Sequence, residues 1–298
     1  MSLFKNIIYA HEHTTIDLSG IKQDMDCCLD NKTDIIEEFG KLAQLGVSRI
    51  IDQTNNGMGR NPNYVREVSE AVGITIAQST GYYKEPFLPE ECYRMDEKQL
   101  SSKMVSELTN GIEQSGIRAE FIGEIGTGKD CIQPVEEKIF CAASRAHADT
   151  GASICTHTTL GTLGIEQIAI FQKYGVDLQK VVLSHIDLSG DLDYMLRLLD
   201  KGVNIAFDTV GKNNYQPDEK RVEWLLELCK RGFSPQIVLS VDITRKSHYK
   251  KNGGIGYAYL LESFVPALLD AGCSRQNVEN LLVHTPARIY NNPERDVL

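Results

Sequence analysis

Eight short segments rich in Ile and Val recur along the chain: NIIYAHEH, VSRIIDQT, ITIAQSTGY, AEFIGEIGT, ASICTHT, VVLSHID, NIAFDTV and IVLSVDI. Near-continuous hydrophobicity of this kind suits strands covered on both faces, as in a parallel sheet wrapped by helices. Between them run amphipathic stretches such as DIIEEFGKLAQLG, where Ile35, Ile36, Phe39, Leu42 and Ala43 fall at helical spacing. Gly46, Gly73, Gly116, Gly151, Gly175, Gly202, Gly232 and Gly272 each follow a predicted helix, where glycine takes the left-handed conformation without a Cβ clash. Pro134 opens PVEEKIFCAASRAHADTG, a place where its missing N–H costs no internal bond. The pattern predicts one α/β domain over residues 1–298, a TIM-type (β/α)8 barrel. The stretch SRQNVENLLVHTPARIYNN adds a C-terminal helix. A doubly wound open sheet is the alternative, because strand–helix alternation alone does not distinguish closure from an open edge.

Side chains at the strand ends decide between them. His11 and His13 are two apart on the first strand and so share a face. Glu124 ends the fourth strand among apolar neighbours, where an unpaired carboxylate is costly and a nearby cation is expected. His157, His185 and Asp242 end the fifth, sixth and eighth strands. These six can converge only if the first and last strands are neighbours, which requires a closed barrel. Imidazoles and carboxylates gathered at one mouth are the donor set of a zinc-like ion.

The formal charge of −10 and a pI near 5.3 oppose binding to a nucleic-acid backbone. No apolar run is long enough to span a bilayer. The N-terminus reaches NIIYAHEH too soon to hold a signal peptide, so the mature chain is expected to start near Met1. None of the eight cysteines forms a Cys-x-x-Cys pair, and several fall on apolar faces, so a reducing cytoplasm is the expected compartment.

The motifs YAHEHTTIDLSG, FIGEIGT, CTHTT, LSHIDLSGDLD, FDTVGKN and LSVDITRKSHYKKNGGIGYAYLL resemble the phosphotriesterase-related proteins of the amidohydrolase superfamily through nearly the whole length. The resemblance implies two divalent ions, Zn2+ or alternatively Mn2+. One is held by His11, His13 and Asp242, the other by His157 and His185, with Glu124 bridging both. It also marks a departure, since phosphotriesterases and related lactonases carry a carbamylated lysine as the bridge and this chain has Glu124. Thr209 follows Asp208 where that family has a histidine, so efficient triester hydrolysis is not expected.

The expected activity is that of a binuclear metal-dependent hydrolase. A hydroxide between the ions attacks a carbonyl or phosphoryl centre of a small ester, lactone, amide or phosphoester, and Asp242 is the catalytic proton carrier. Two divalent ions less Glu124, Asp242 and a hydroxide leave roughly one positive charge, which favours an oxyanion. Loops after barrel strands set specificity, so Tyr82, Asp208, Lys212, Asn213, Arg245 and His248 are candidate substrate contacts, with the Arg245 fork suited to an anionic group. The partner is thus a small, anionic molecule, met by a monomer or homodimer without nucleic acid or membrane. Competing readings are a TatD-like metal-dependent deoxyribonuclease, disfavoured by the acidic charge, and a noncatalytic metal-binding barrel.

Overall fold

The structure is a computed structural model and describes residues 4–290. Eight parallel strands are hydrogen-bonded in sequence order: β1 (Ile7–Glu12), β2 (Val47–Asp52), β3 (Thr75–Thr80), β4 (Phe121–Thr127), β5 (Ile154–Thr158), β6 (Val181–Ser184), β7 (Asn204–Phe207) and β8 (Ile237–Leu239). They curl into a TIM-type barrel with helices outside, as the eight apolar segments predict. The ladder stops short of full closure, since no strand pairing joins β8 back to β1 among the described residues.

The helices α1 (Lys32–Gln44), α2 (Pro62–Val72), α3 (Glu97–Thr109), α4 (Pro134–Thr150), α5 (Gly164–Lys173), α6 (Leu192–Asp200), α7 (Asp218–Lys230) and α8 (Val265–Asp270) follow the eight strands. Their starts carry local signals. The Asn31, Asn61 and Asp191 side chains accept from backbone N–H groups of the first turn, and Asp96 with Gln99 forms a capping box. Gly73 and Gly151 end α2 and α4 in the left-handed region. Gly116 also has positive φ, but it turns the loop beyond α3 rather than ending the helix.

Inside the barrel, each strand contributes to one buried cluster, with Ile8, Ile51, Phe121, Cys155, Val182 and Val238 among its members. Ile289 and Tyr290 close this cluster from the N-terminal end of the strands, where the Tyr290 ring meets Phe121 edge-on at 5.4 Å between centroids. The predicted C-terminal helix is therefore the plug of the barrel's closed end. It runs as Arg275–Glu279, a π-turn over Asn280–His284, and Thr285–Tyr290. The opposite end is the open mouth. All eight cysteines are free and only Cys131 is exposed. No helix among the described residues is long and apolar enough to cross a membrane.

Candidate metal centre

Strand alternation would carry the inward face of β1 from Ile8 and Ala10 to Glu12. A register shift between Tyr9 and Glu12 moves it instead to His11 and His13. A second shift, between Ile122 and Ile125 of β4, turns Glu124 inward although Phe121 below it also faces in. His185 and Asp242 lie just past the ends of β6 and β8 with φ of 61° and 54°. Non-glycine residues in that region cost about 1–3 kcal/mol each and persist where surrounding contacts over-determine them.

The result brings the six expected ligands together, with Glu124 at the centre of the four histidines. Its Oε2 lies 3.2 Å from His157 Nδ1, 3.5 Å from His185 Nε2 and 3.7 Å from His11 Nε2, while Oε1 lies 3.8 Å from His13 Nε2. Asp242 Oδ1 is 3.4 Å from His13 Nε2 and 3.7 Å from His11 Nε2. Two groups of donor atoms, His11–His13–Glu124 and Glu124–His157–His185, each lie within 4.8 Å of one another and share the Glu124 carboxylate.

Hydrogen bonds behind the histidines set their tautomers. The Thr54 hydroxyl donates to the Thr15 carbonyl at 2.8 Å, so it must accept from His13 Nδ1–H, also at 2.8 Å. His13 Nε2 is left with a lone pair turned into the site. His185 Nδ1 donates to Asp208 Oδ1 at 2.8 Å, and His11 Nδ1 faces Asp208 Oδ2 and Ser184 Oγ at 3.0 Å each. The buried His11 Nε2 makes no hydrogen bond at all. An orphaned imidazole nitrogen facing two carboxylates, with its other nitrogen tied back, fits a divalent cation.

The charges agree with that fit. Burial opposes ionisation of Glu124, yet His11, His157 and His185 hold its carboxyl well below the usual range. Burial likewise opposes a charged Asp242, and Lys212 Nζ, 2.6 Å from Oδ2, holds it low. Burial lowers His157 to about 4, whereas the same burial on His185 is outweighed by Asp208, which pushes it up to about 10. Metal binding at His185 would thus displace a proton. Burial pushes the Glu12 carboxyl up to about 7, against hydrogen bonds from Ser240, Val241 and Ile243.

The substrate contacts need correction. Tyr82 is fully buried with its hydroxyl donating to Glu91 Oε1 at 2.9 Å, and it is the next residue, Tyr83, that lines the cavity. Asp208 lies behind His11 and His185, fully buried, because its oxygens serve their Nδ1 atoms. Arg245 is drawn away by Asp24, at 2.7 Å, and Asp26. Neither His248 nor Asn213 lines the cavity, and burial lowers His248 to about 4. Lys212 does line it. The cavity over the metal site has a volume of about 180 Å3, with Ile16, Leu18, Met58, Leu160, Leu188 and Tyr215 as apolar wall and Lys22 at the rim. Sequence reasoning missed Lys22 and Tyr83. Lys22 was legible only as a cation in the loop after the first strand.

A TIM-type barrel with His and carboxylate donors gathered at its open mouth fits the class of metal-dependent hydrolases. The phosphotriesterase family profile matches residues 6–290, and the chain belongs to that family. It is 44% identical to the phosphotriesterase homology protein of Escherichia coli K12 over 281 residues, 94% of this chain and 96% of the relative. It is 31% identical to an N-acetyltaurine hydrolase of Dictyostelium discoideum, covering 85% of this chain and 72% of that protein. The crystal structure of the E. coli protein, complexed with phosphate in its active site, superposes with a TM-score of 0.95 at 43% identity, covering 96% of this chain and 99% of that one. The lactonase Lmo2620 of Listeria monocytogenes gives 0.92 at 29% identity, over 96% and 94%.

Proposed function

We propose that the barrel is a binuclear metal-dependent hydrolase acting on a small amide, ester, lactone or phosphoester that carries an anionic group. The observation that supports it most is the sharing of one carboxylate, Glu124, by two histidine pairs. His11, His13 and Asp242 would hold one ion and His157 and His185 the other, with Glu124 between them. Zn2+ or Mn2+ bound there supplies Lewis acidity and a water of lowered pKa.

The chain's own groups do the rest. Asp242 is the proton carrier: Oδ1 faces the histidines, and Lys212 holds Oδ2 so that the acid keeps one orientation. The Tyr83 hydroxyl, 3.3 Å from His157 Nδ1, is placed to donate to a substrate oxygen beside the second histidine pair. The cavity, about 180 Å3 and open to solvent, suits a small molecule. No carboxylate among the described residues pairs with Lys22, whose Nζ lies over the Phe87 ring at 6.0 Å, so its ammonium at the rim can meet an anionic tail. Relatives named for N-acetyltaurine, an amide with a sulfonate, and for lactones favour carbonyl over phosphoryl substrates. Phosphate in the related E. coli site suits an oxyanion held at the same place.

The test is metal content by elemental analysis, then a screen of the loaded protein against N-acyl sulfonates, N-acyl amino acids, lactones, aryl esters and phosphoesters. Two ions per chain and turnover that chelation abolishes and Zn2+ or Mn2+ restores are expected. Tight metal with no turnover on any class would make this a noncatalytic metal-binding barrel. Salt-sensitive cleavage of DNA would make it a nuclease.

A further inference from the structure

Glu12 sits between His11 and His13 in sequence, and the register shift in β1 turns it away from the metal site, into the seam between β1 and β8. Its carboxylate is fully buried, and no lysine or arginine among the described residues forms an ion pair with it. Its partners all come from one short segment. Oε1 accepts from the Ser240 hydroxyl at 2.7 Å and the Val241 N–H at 2.8 Å, and Oε2 accepts from the Ile243 N–H at 3.2 Å. Ser240 Oγ in turn accepts from the His11 N–H at 3.1 Å.

This is the seam that lacks a strand ladder. The two carboxyl oxygens take the place of the missing backbone acceptors. Two of the three donors belong to the residues on either side of Asp242, whose φ is 54°. The Val241 N–H lies in the 240–241 peptide and the Ile243 N–H in the 242–243 peptide, so the two bonds bracket Val241 and Asp242 and restrict where the Asp242 side chain points. Asp242 thereby meets His11 and His13, the two neighbours of Glu12 itself.

We propose that Glu12 is a positioning residue: by clamping the amides of Val241 and Ile243 it closes the barrel seam and aims Asp242 at the His11–His13 pair in one arrangement. The inference rests on the reading of Asp242 as ligand and proton carrier, but the clamp itself exists without any ion.

Two measurements on the full-length protein test it. Amide hydrogen exchange over residues 240–244 is followed without metal, and Co2+ titration is followed by visible absorption. Glu12→Gln turns an N–H2 toward groups that are themselves donors. It is expected to speed exchange at Val241 and Ile243 about ten-fold or more. It should also weaken Co2+ binding about 10- to 100-fold with an altered absorption band. The control is Tyr9→Phe, which removes another buried β1 hydrogen bond, from the Tyr9 hydroxyl to the Tyr257 carbonyl at 2.9 Å, and should change neither readout. If Glu12→Gln does not fold, Ser240→Ala removes one of the three bonds and is read the same way. Unchanged exchange at Val241 and Ile243 overturns the proposal, as does equal loss of Co2+ affinity in Glu12→Gln and Tyr9→Phe. A wild type that takes up no Co2+ while Glu12→Gln still loosens residues 241–243 sinks the metal reading and sustains the clamp.

Discussion

Replacing Arg221 by Met should test how the wall beneath the site is held. Arg221, on α7, is fully buried. Its Nε donates to Asp187 Oδ2 at 2.6 Å, and its terminal nitrogens donate to Thr209 Oγ1 at 2.7 Å, to Asp218 Oδ1 at 2.8 Å and to the Gln216 carbonyl. Asp187 is also fully buried. Burial pushes its carboxyl up and Arg221 pulls it back. Arg221→Met fills the volume but leaves that carboxylate in the interior without a cation, held only by the Thr209 hydroxyl at 2.6 Å. Breaking a buried pair from one side costs about 3–5 kcal/mol. In a domain of this size that lowers Tm by roughly 6–20 °C.

The assay is urea denaturation at two pH values. In the variant burial and the nearby Asp208 push the Asp187 carboxyl up, against a single hydrogen bond from the Thr209 hydroxyl, so its native pKa lies above its unfolded one. Between the two, the native state binds more protons than the unfolded state, and stability falls as pH rises. The deficit should therefore shrink from about pH 8 to about pH 5. Arg221→Met with Asp187→Asn should recover at least half of it, since the uncompensated charge is gone. A single-variant loss below about 1 kcal/mol, or a double variant that merely sums two losses, would refute the reasoning.

Asp242→Asn should retain metal, measured by elemental analysis, while turnover falls about 10²- to 10⁴-fold, the range of a lost general base; near-normal turnover would remove Asp242 from that role. Lys22→Ala should lower the preference in kcat/KM for anionic over neutral substrates about ten-fold, and an unchanged ratio would place the anion elsewhere. Both oxygens of buried Glu107 pair with Arg60, at 2.7 and 3.0 Å, and Thr80 donates to one of them. Burial opposes that charge, but Arg60 holds the carboxyl below its ordinary value. The pair's contribution is complete above the unfolded pKa and is lost as pH falls through the lower native one. Glu107→Gln should thus be about 3 kcal/mol less stable at neutral pH and show a flatter acid limb in denaturation, and parallel acid limbs would contradict it.

Much of the site was legible because its parts sit where strand meets loop, and strand ends announce themselves by a change from Ile and Val to polar residues. Arg245 and Tyr82 misled for one reason. Sequence position places a residue in a loop but does not say which neighbour claims its side chain, and Asp24 and Glu91 are remote or unremarkable in the chain. Asp208 was read as a substrate contact because nothing local shows that His11, far away on β1, comes to share it.

The chain's own pattern determined eight strands, eight following helices, a plugging C-terminal helix and the donor types at the mouth. Those follow from hydrophobic periodicity, which is local. Only the tertiary structure decided that β1 and β4 slip register and that His185 and Asp242 adopt left-handed backbone, so that residues of both parities face one point. Alternation by itself would have turned half of them away. The physical reason is that such irregularities carry a local cost, and contacts between residues far apart in the chain, such as Glu12 with Val241 and Ile243, are what outweigh it.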